Sequence, residues 1–426
     1  MEKINMREIK NDLLRDSYFE INHKSGLKIL VYPKSGYSST YAIFGTNYGS
    51  IDTFIKKRGE NAEPIPEGTA HFLEHKLFES EELDAFERFA KTGASANAYT
   101  SFDKTCYLFS CSSKFSENLA ILLDFVSHPY FTQKTVEKEQ GIIGQEIRMY
   151  QDEPSWQVLF NLLRCLYHKH PVKIDIAGTV ESIAEITADM LYNCYNTFYS
   201  PGNMVLACVG NTTVSEVLAV ADKTLPQKES IITERADYNE PGEIVSDYFE
   251  EKLSVSIPLF ALGFKEDASL KDASLKDKIL TSIILEYLAG DTSPLYDRLF
   301  SEGLINTTFG SEYFAGPGYR SVIFSGESRN PRAVSDAIKE EITRLKETGF
   351  DRDDFERIRR MHYGRSVMEY NNVDALANDM VACEFEGYHL FDEIDIYKTL
   401  TVEDAMARLN EELDVTNCAL SVITEA

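Results

Sequence analysis

The first 225 residues alternate between strand-like and helix-like patterns. Residues 18–33, "YFEINHKSGLKILVYP", alternate apolar and polar positions around a Lys-Ser-Gly turn, which predicts a β-hairpin. Residues 64–80, "PIPEGTAHFLEHKLFES", carry apolar side chains at helical spacing after a Pro- and Gly-containing start, which predicts a helix. Further strand or helix patterns occupy residues 94–113, 116–131, 132–167 and 203–211. This mixture indicates an α+β fold in which mostly antiparallel strands pack against helices.

The same order of elements recurs in the second half of the chain. Residues 226–245 are polar and charged, with few large apolar side chains, and they interrupt the pattern. After them, "ILEY" at residues 284–287 pairs loosely with "FLEH" at residues 72–75. We therefore predict two homologous domains, residues 1–225 and 246–426, joined by a linker over residues 226–245.

Composition and charge narrow the class of partners. The 426 residues carry a net charge of −26, which argues against nucleic acid, whose phosphates require a basic surface. Seven scattered cysteines without a C-x-x-C pair argue against a disulfide framework and against a cysteine-based zinc site. The sequence contains no run of 18 apolar residues and no signal-peptide core at its start. We expect no membrane association and a cytoplasmic location.

The segment "HFLEH", residues 71–75, is the strongest candidate for chemistry. On a helix, residues four apart lie on one face, so His71 and His75 can offer two imidazole nitrogens to one metal ion. Glu74 is offset by one residue, a position that suits a general base acting on a metal-activated water. The H-x-x-E-H order is the inverse of the H-E-x-x-H zincin motif.

A catalytic zinc site needs a third protein ligand and an open fourth position. The downstream stretch "VEKEQGIIGQEIRMY" supplies Glu139 and Glu146, which are seven residues apart and share a helix face. One of them could bind the metal while the other orients a ligand. Histidine pairs and glutamates also occur by chance on solvated helices, and a structural zinc site is a further alternative.

Four segments in the same order and spacing resemble the M16 peptidases, the family of insulin-degrading enzyme, pitrilysin and the mitochondrial processing peptidase. These segments are "GTAHFLEHKLFE", "GASANAYTSFDKTCYLFS", "VEKEQGIIGQEI" and "FYSPGNMVLACVGN". The resemblance covers residues 20–215 and, more faintly, 246–426, and it is greatest to the short bacterial members. It implies one Zn²⁺ per chain, held by His71, His75 and Glu146, with Glu139 supporting the ligands and Glu74 as the base.

The resemblance also implies a fold and a substrate. The chain would form half of a clamshell of four homologous α+β domains, and it would cleave unstructured peptides or short presequences. The peptide would bind as an added strand along "ASANAYT". Asn97 matches a position that contacts the substrate backbone, and Ala98 and Tyr99 would line the cleft. For Tyr99, a packing role is an equal alternative.

The sequence departs from the family at one pair of positions. Many members carry an arginine and a tyrosine in the second half, which hold the substrate carbonyl. The matching positions here are Phe300 and Asn306, and the loop is one residue shorter. We therefore expect a second M16-like chain to complete the enzyme. A heterodimer is favoured over a homodimer, and the alternative is a non-catalytic scaffold subunit of a processing complex.

Overall fold

The structure is a computed structural model that describes residues 5–57, 59, 61–81, 83–228, 230–266 and 272–426. The chain divides into two compact units, and each unit is built from three stretches of the sequence. The first unit comprises Met1–Gln145, Ile176–Ala236 and Val367–Asp392. The second unit comprises Glu146–Asp175, Asp237–Ser366 and Glu393–Ala426.

Strands and helices are numbered along the chain. The strands are β1 Asn5–Asn11, β2 Asp16–Asn22, β3 Lys28–Pro33, β4 Thr40–Thr46, β5 Phe54–Ile55, β6 Glu63–Pro64, β7 Ser95–Thr100, β8 Thr105–Cys111, β9 Met204–Gly210, β10 Tyr248–Leu253, β11 Leu259–Lys265, β12 Gly310–Gly316, β13 Tyr319–Glu327 and β14 Cys418–Glu425. The helices are α1 Thr69–Leu77, α2 Ala85–Thr92, α3 Phe115–Ser127, α4 Gln133–Gln151, α5 Pro154–Leu166, α6 Val180–Ala184, α7 Ala188–Phe198, α8 Val214–Thr224, α9 Leu275–Ala289, α10 Pro294–Ser301, α11 Pro331–Thr348, α12 Arg352–Glu369, α13 Val373–Glu386, α14 Asp392–Tyr397 and α15 Val402–Glu412.

The first unit is organised around a seven-stranded sheet in the order β1-β2-β3-β9-β4-β8-β7. All neighbouring pairs are antiparallel except β3 and β9, which run parallel. Every residue of β4 and β9 is buried, as expected for apolar runs such as "MVLACVG" that are covered on both faces. The strand β7 lies at one edge, where its ladder partner among the described residues is β8.

The second unit repeats this sheet without the first two strands. Its order is β10-β14-β11-β13-β12, in which β10 and β14 are parallel and the remaining neighbours are antiparallel. This order matches β3-β9-β4-β8-β7 strand by strand and direction by direction. The predicted α+β class, with antiparallel-dominated sheets packed against helices, is confirmed.

The two halves of the sequence exchange a helix. Helix α5, from the first half, packs against β14, β11 and β10 in the second unit, and α13, from the second half, packs against β9 and β4 in the first. An equivalent glycine allows each approach. A Cβ at Gly45 would lie 2.8 Å from the Val381 side chain, and one at Gly263 would lie 2.8 Å from Leu166. The predicted domains, residues 1–225 and 246–426, are continuous stretches, so they assign α5 and α13 each to the other unit.

The predicted linker, residues 226–245, is anchored in both units. In the first unit Thr233 forms an isolated antiparallel bridge with Lys57. In the second unit the Glu240 carboxylate accepts an amine hydrogen bond from Lys265 at 2.7 Å and three backbone N–H groups of residues 168–170. The division between the units falls after Ala236, within this segment. The described part of the segment is therefore fixed by specific bonds.

None of the helices in the described part of the chain combines the length and the apolarity needed to cross a lipid bilayer. All seven cysteines are buried free thiols.

Candidate metal and catalytic site

Helix α1 places both histidines of "HFLEH" on one side. The helix begins after Gly68, whose φ of 84° lies in the left-handed region. A Cβ at this position would lie 2.3 Å from the carbonyl oxygen of Ala177, so only glycine fits there. Leu73 is fully buried and lies on the opposite face of the helix. One helical turn separates His71 from His75, and their ring centroids lie 4.6 Å apart.

The ligand atoms of His71, His75 and Glu146 all lie within 4.8 Å of one another. The unit division falls inside α4, between Gln145 and Glu146, but α4 is one continuous helix. The position of Glu146 relative to Glu139, two turns earlier, therefore follows from helix geometry. Two imidazoles and one carboxylate form a set that catalytic zinc sites use, with a fourth position left open.

Burial prepares His71 for metal binding. Its imidazole is nine-tenths buried, and burial, reinforced by the neighbouring His75, lowers its pKa to about 3. The ring is therefore neutral at physiological pH, which is the form that binds a metal. The residues present thus fit a zinc ion.

Glu139 supports the second histidine. Nδ1 of His75 lies 3.0 Å from the Glu139 carboxylate, which leaves Nε2 of His75 for a metal. Burial opposes ionisation of Glu139, but the hydrogen bond with His75 and the positive charges of Lys76 and Lys138 keep its pKa below the ordinary value. A carboxylate behind a ligating imidazole fixes its tautomer and orientation. The structure therefore places Glu139 in contact with His75, the supporting position that the resemblance implies.

Glu74 is held by a residue that sequence reasoning missed. The Thr100 hydroxyl donates a 2.7 Å hydrogen bond to a carboxylate oxygen of Glu74. Thr100 ends β7, the edge strand, whereas Glu74 lies on α1. The predicted base is therefore tied directly to the predicted substrate strand. The sequence signal for this contact is strand alternation, which places Thr100 on the same face of β7 as Ala98, a residue predicted to line the cleft.

The predicted substrate residues lie on both faces of β7. Asn97 is exposed, and its side-chain oxygen accepts the backbone N–H of Ala98 at 2.9 Å. Tyr99 points to the face covered by α13, where its hydroxyl donates to Asn378 at 2.9 Å. The Tyr99 side chain thus has the packing contact that the sequence left open as an alternative, and Asn97 and Ala98 remain predicted substrate contacts.

The second sequence half has an ion pair where the first has the metal ligands. Aligning "FLEH" with "ILEY" pairs His71 and His75 with Ile283 and Tyr287. Aligning the two sequence halves from Phe131 and Phe350 pairs Glu146 with Arg365. Ile283 is fully buried, and the Tyr287 hydroxyl accepts the backbone N–H of Asp351 at 3.0 Å. Arg365 lies 3.1 Å from Glu286, which is the counterpart of Glu74. A guanidinium cannot bind a metal, so these three positions do not form a metal-ligand set.

Phe300 and Asn306, the positions without the family's arginine and tyrosine, have structural contacts. Phe300 is exposed and stacks on Tyr296 with ring centroids 5.8 Å apart. The Asn306 amide donates to Glu327 at 2.6 Å. Tyr313, a nearby tyrosine in sequence, has its hydroxyl occupied by two arginine donors at 2.9 and 3.1 Å. At the two matching positions, therefore, Phe300 and Asn306 supply neither the guanidinium nor the phenol of the missing pair.

Arg235, in the predicted linker, forms hydrogen bonds around the turn that follows β7. The Arg235 guanidinium donates to the Asp103 carbonyl at 2.5 Å, to the Asn47 side chain at 2.8 Å and to the Asp52 carboxylate at 2.9 Å. Asp52 in turn accepts the backbone N–H of Gly49 at 2.9 Å, beside the same turn. Arg235 therefore restrains the end of the edge strand.

Comparison with known proteins agrees with this geometry. The sequence profile described as "Insulinase (Peptidase family M16)" matches residues 58–180, and the one described as "Peptidase M16 inactive domain" matches residues 185–361. The chain is 38% identical over 415 residues, 96% of each chain, to the uncharacterized zinc protease YmfH of Bacillus subtilis. It is also 30% identical over 189 residues to the mitochondrial-processing peptidase subunit beta of Caenorhabditis elegans. That alignment covers 42% of this chain and 40% of the other protein.

A crystal structure of an M16-like peptidase from Alicyclobacillus acidocaldarius has the same fold. It superposes with a TM-score of 0.91 at 34% identity and covers 100% of this chain and 99% of its own. The family profiles, the full-length relative and this structure agree with each other. The chain therefore belongs to the M16 peptidase family.

Proposed function

We propose that this protein is a zinc-dependent endopeptidase that cleaves unstructured peptides or short presequences. The observation that carries the proposal is the joint arrangement of His71, His75 and Glu146 beside Glu74, whose carboxylate is bonded to the edge strand through Thr100. One zinc ion per chain fits this ligand set. The seven buried thiols support a reducing compartment, the cytoplasm, as the place of action.

The chemistry divides between the metal and Glu74. When bound, zinc activates water and polarises the scissile carbonyl. Glu74 takes the proton of the attacking water and then delivers it to the departing amine nitrogen. The Thr100 hydroxyl holds one carboxylate oxygen of Glu74, which orients the other oxygen. Glu139 keeps the His75 ring in its ligand orientation.

The substrate would add a strand to β7. An edge strand presents unpaired backbone N–H and C=O groups, and an extended peptide can satisfy them. Because this recognition uses backbone groups, sequence specificity should be loose. The predicted contacts are Asn97 near the metal and Ala98 along the cleft.

Peptide cleavage by the zinc-loaded chain tests the proposal. Glu74→Gln should bind zinc like the wild type but lose activity by about 10²–10⁴-fold, because it cannot accept the proton. Glu87→Gln, at an exposed position on α2, is the matched control and should retain full activity. If the wild type cleaves peptides above the zinc-free background and Glu74→Gln cleaves as fast as Glu87→Gln, Glu74 is not the base.

We also propose that a second M16-type chain completes the enzyme. Phe300 and Asn306 stand where the family carries its arginine and tyrosine, and one relative is named as a peptidase subunit. A heterodimer supplies that pair from a different sequence, whereas a homodimer does not. Full activity of the purified chain, with unchanged activity in Phe300→Ala and Asn306→Ala, would refute this part.

A non-catalytic scaffold subunit is the second candidate function. Two observations support it: the "inactive domain" profile matches residues 185–361, and Arg365 forms an ion pair at the position that pairs with Glu146. If the chain is a scaffold, complexes assembled with the wild type and with Glu74→Gln should cleave peptides at the same rate. An activity loss in that complex decides for the enzyme.

A further inference from the structure

Tyr150 contacts the third metal-ligand position. It lies one helical turn after Glu146 on α4, and its hydroxyl donates a 3.2 Å hydrogen bond to Oε1 of Glu146. A glutamate on a helix surface has several rotatable bonds, and each rotamer moves its carboxylate by several ångströms. A donor that binds one oxygen restricts these rotamers and so fixes the position of the carboxylate.

Tyr150 is itself held in place from the other side of the α4–α5 corner. Its ring stacks on Trp156 with a centroid separation of 4.7 Å and an interplanar angle of 21°. The Trp156 indole N–H donates to Asp175 at 2.5 Å. The Gln157 side chain donates to the backbone carbonyl of Tyr150 at 2.9 Å. The ring of Tyr150 is therefore restrained by a stacked partner, and its backbone by a side-chain hydrogen bond.

We propose that Tyr150 is a positioning residue that orients Glu146 for metal binding, and that Trp156 and Asp175 hold Tyr150 in that orientation. The proposal rests on the proposed function, because it assumes that Glu146 binds zinc. Stacking of Tyr150 on Trp156 would stabilise the α4–α5 connection without a hydroxyl group. The hydrogen bond from that hydroxyl to Glu146 is the feature that indicates a positioning role. The signal was readable in the sequence, since Tyr150 follows Glu146 by four residues.

The arrangement provides its own optical reporter. Trp156 is the single tryptophan of the chain, and two contacts connect its indole to Glu146. Zinc binding that moves Glu146 is transmitted to the Tyr150 ring and changes the environment of the indole. Tryptophan emission during a Zn²⁺ titration should therefore respond in the wild type.

Zinc affinity, measured by competition with a chromogenic chelator, is the main test. Tyr150→Phe keeps the stacked ring and removes only the hydroxyl, and we expect zinc to bind about 10-fold more weakly, the lower end of the usual effect of a residue that supports a metal ligand. The zinc-dependent change in emission should also shrink. Tyr363→Phe, which removes a hydroxyl from α12, is the matched control and should leave both readouts unchanged.

The outcomes separate the two proposals. If the wild type binds no zinc, the proposed function fails. If the wild type binds zinc and Tyr150→Phe binds it equally well, the proposed function survives and the positioning role is refuted. If Tyr150→Phe loses its folded circular dichroism spectrum, Asp175→Asn takes its place, because it leaves Tyr150 intact and weakens the hydrogen bond that holds Trp156. A lower zinc affinity in Asp175→Asn then supports the role, and an unchanged affinity refutes it.

Discussion

Replacing Glu139 by glutamine tests how the site holds its second histidine. The substitution keeps the shape of the side chain and an oxygen that can still accept the 3.0 Å hydrogen bond from His75, but it removes the negative charge. Both side chains are largely shielded, with 13% of Glu139 and 26% of His75 exposed. The charge is therefore only partly screened by water, and its loss should be felt at the imidazole.

The size of the effect follows from the strength of the bond. A hydrogen bond to a charged group contributes about 1.5–3 kcal/mol, and one between neutral groups about 0.5–1.5 kcal/mol. The difference of about 1–1.5 kcal/mol corresponds to about a 5- to 12-fold change in a dissociation constant. This value meets the lower end of the 10- to 100-fold range known for residues that support metal ligands. We expect Glu139→Gln to bind zinc about 10-fold more weakly.

The assay is chelator competition on metal-free protein reloaded with Zn²⁺. Glu137→Gln is the matched control, because Glu137 is exposed, lies on the same helix and loses the same charge. Any general effect of net charge on zinc affinity then appears equally in both variants. Equal affinities of Glu139→Gln and Glu137→Gln would refute the reasoning, since the bond to His75 would then contribute nothing to metal binding.

Three further substitutions test other parts of the structure. Arg235→Ala removes the brace on the turn after β7, so backbone amides of residues 97–104 should exchange hydrogen faster, whereas the exposed Arg344→Ala should change nothing. Arg408→Met breaks a buried ion cluster and should lower the unfolding free energy by about 3–5 kcal/mol. The exposed Arg360→Ala should cost less than about 1 kcal/mol in the same urea titration. Burial raises the pKa of Glu412 from 4.5 to about 8, so the folded state retains a proton that the unfolded state releases. The stability of the wild type should therefore fall relative to Glu412→Gln as the pH rises from 5 to 8.5, and parallel pH curves would contradict this.

The candidate site was largely predictable because its spacing is local. A helix returns to the same face after four and after seven residues, so "HFLEH" and the pair of Glu139 and Glu146 each imply a ligand-bearing helix face from spacing alone. The distance of 70 residues between His75 and Glu146 does not itself bring the two helices together. That step came from the resemblance to the family, and the structure places the three ligand atoms within 4.8 Å.

Contacts between distant segments were beyond the reach of the sequence. Periodicity shows that Thr100 faces one side of β7, but not that Glu74 lies opposite it. The polarity of residues 226–245 indicated a linker, yet Arg235 and Glu240 bind specific partners. Sequence polarity does not show whether a charged side chain faces water or a partner that compensates its burial.

The sequence by itself indicated the main elements, their repeated order and two helix faces that carry possible zinc ligands, since each helix face depends on spacing within one helix. Tertiary structure alone decided that α5 and α13 cover the sheets of opposite halves, and which side chains support His75, Glu74 and Glu146. The physical reason is that an apolar helix face is encoded locally, whereas the surface that buries it is chosen by shape, as at Gly45 and Gly263, where a missing side chain admits the exchanged helix.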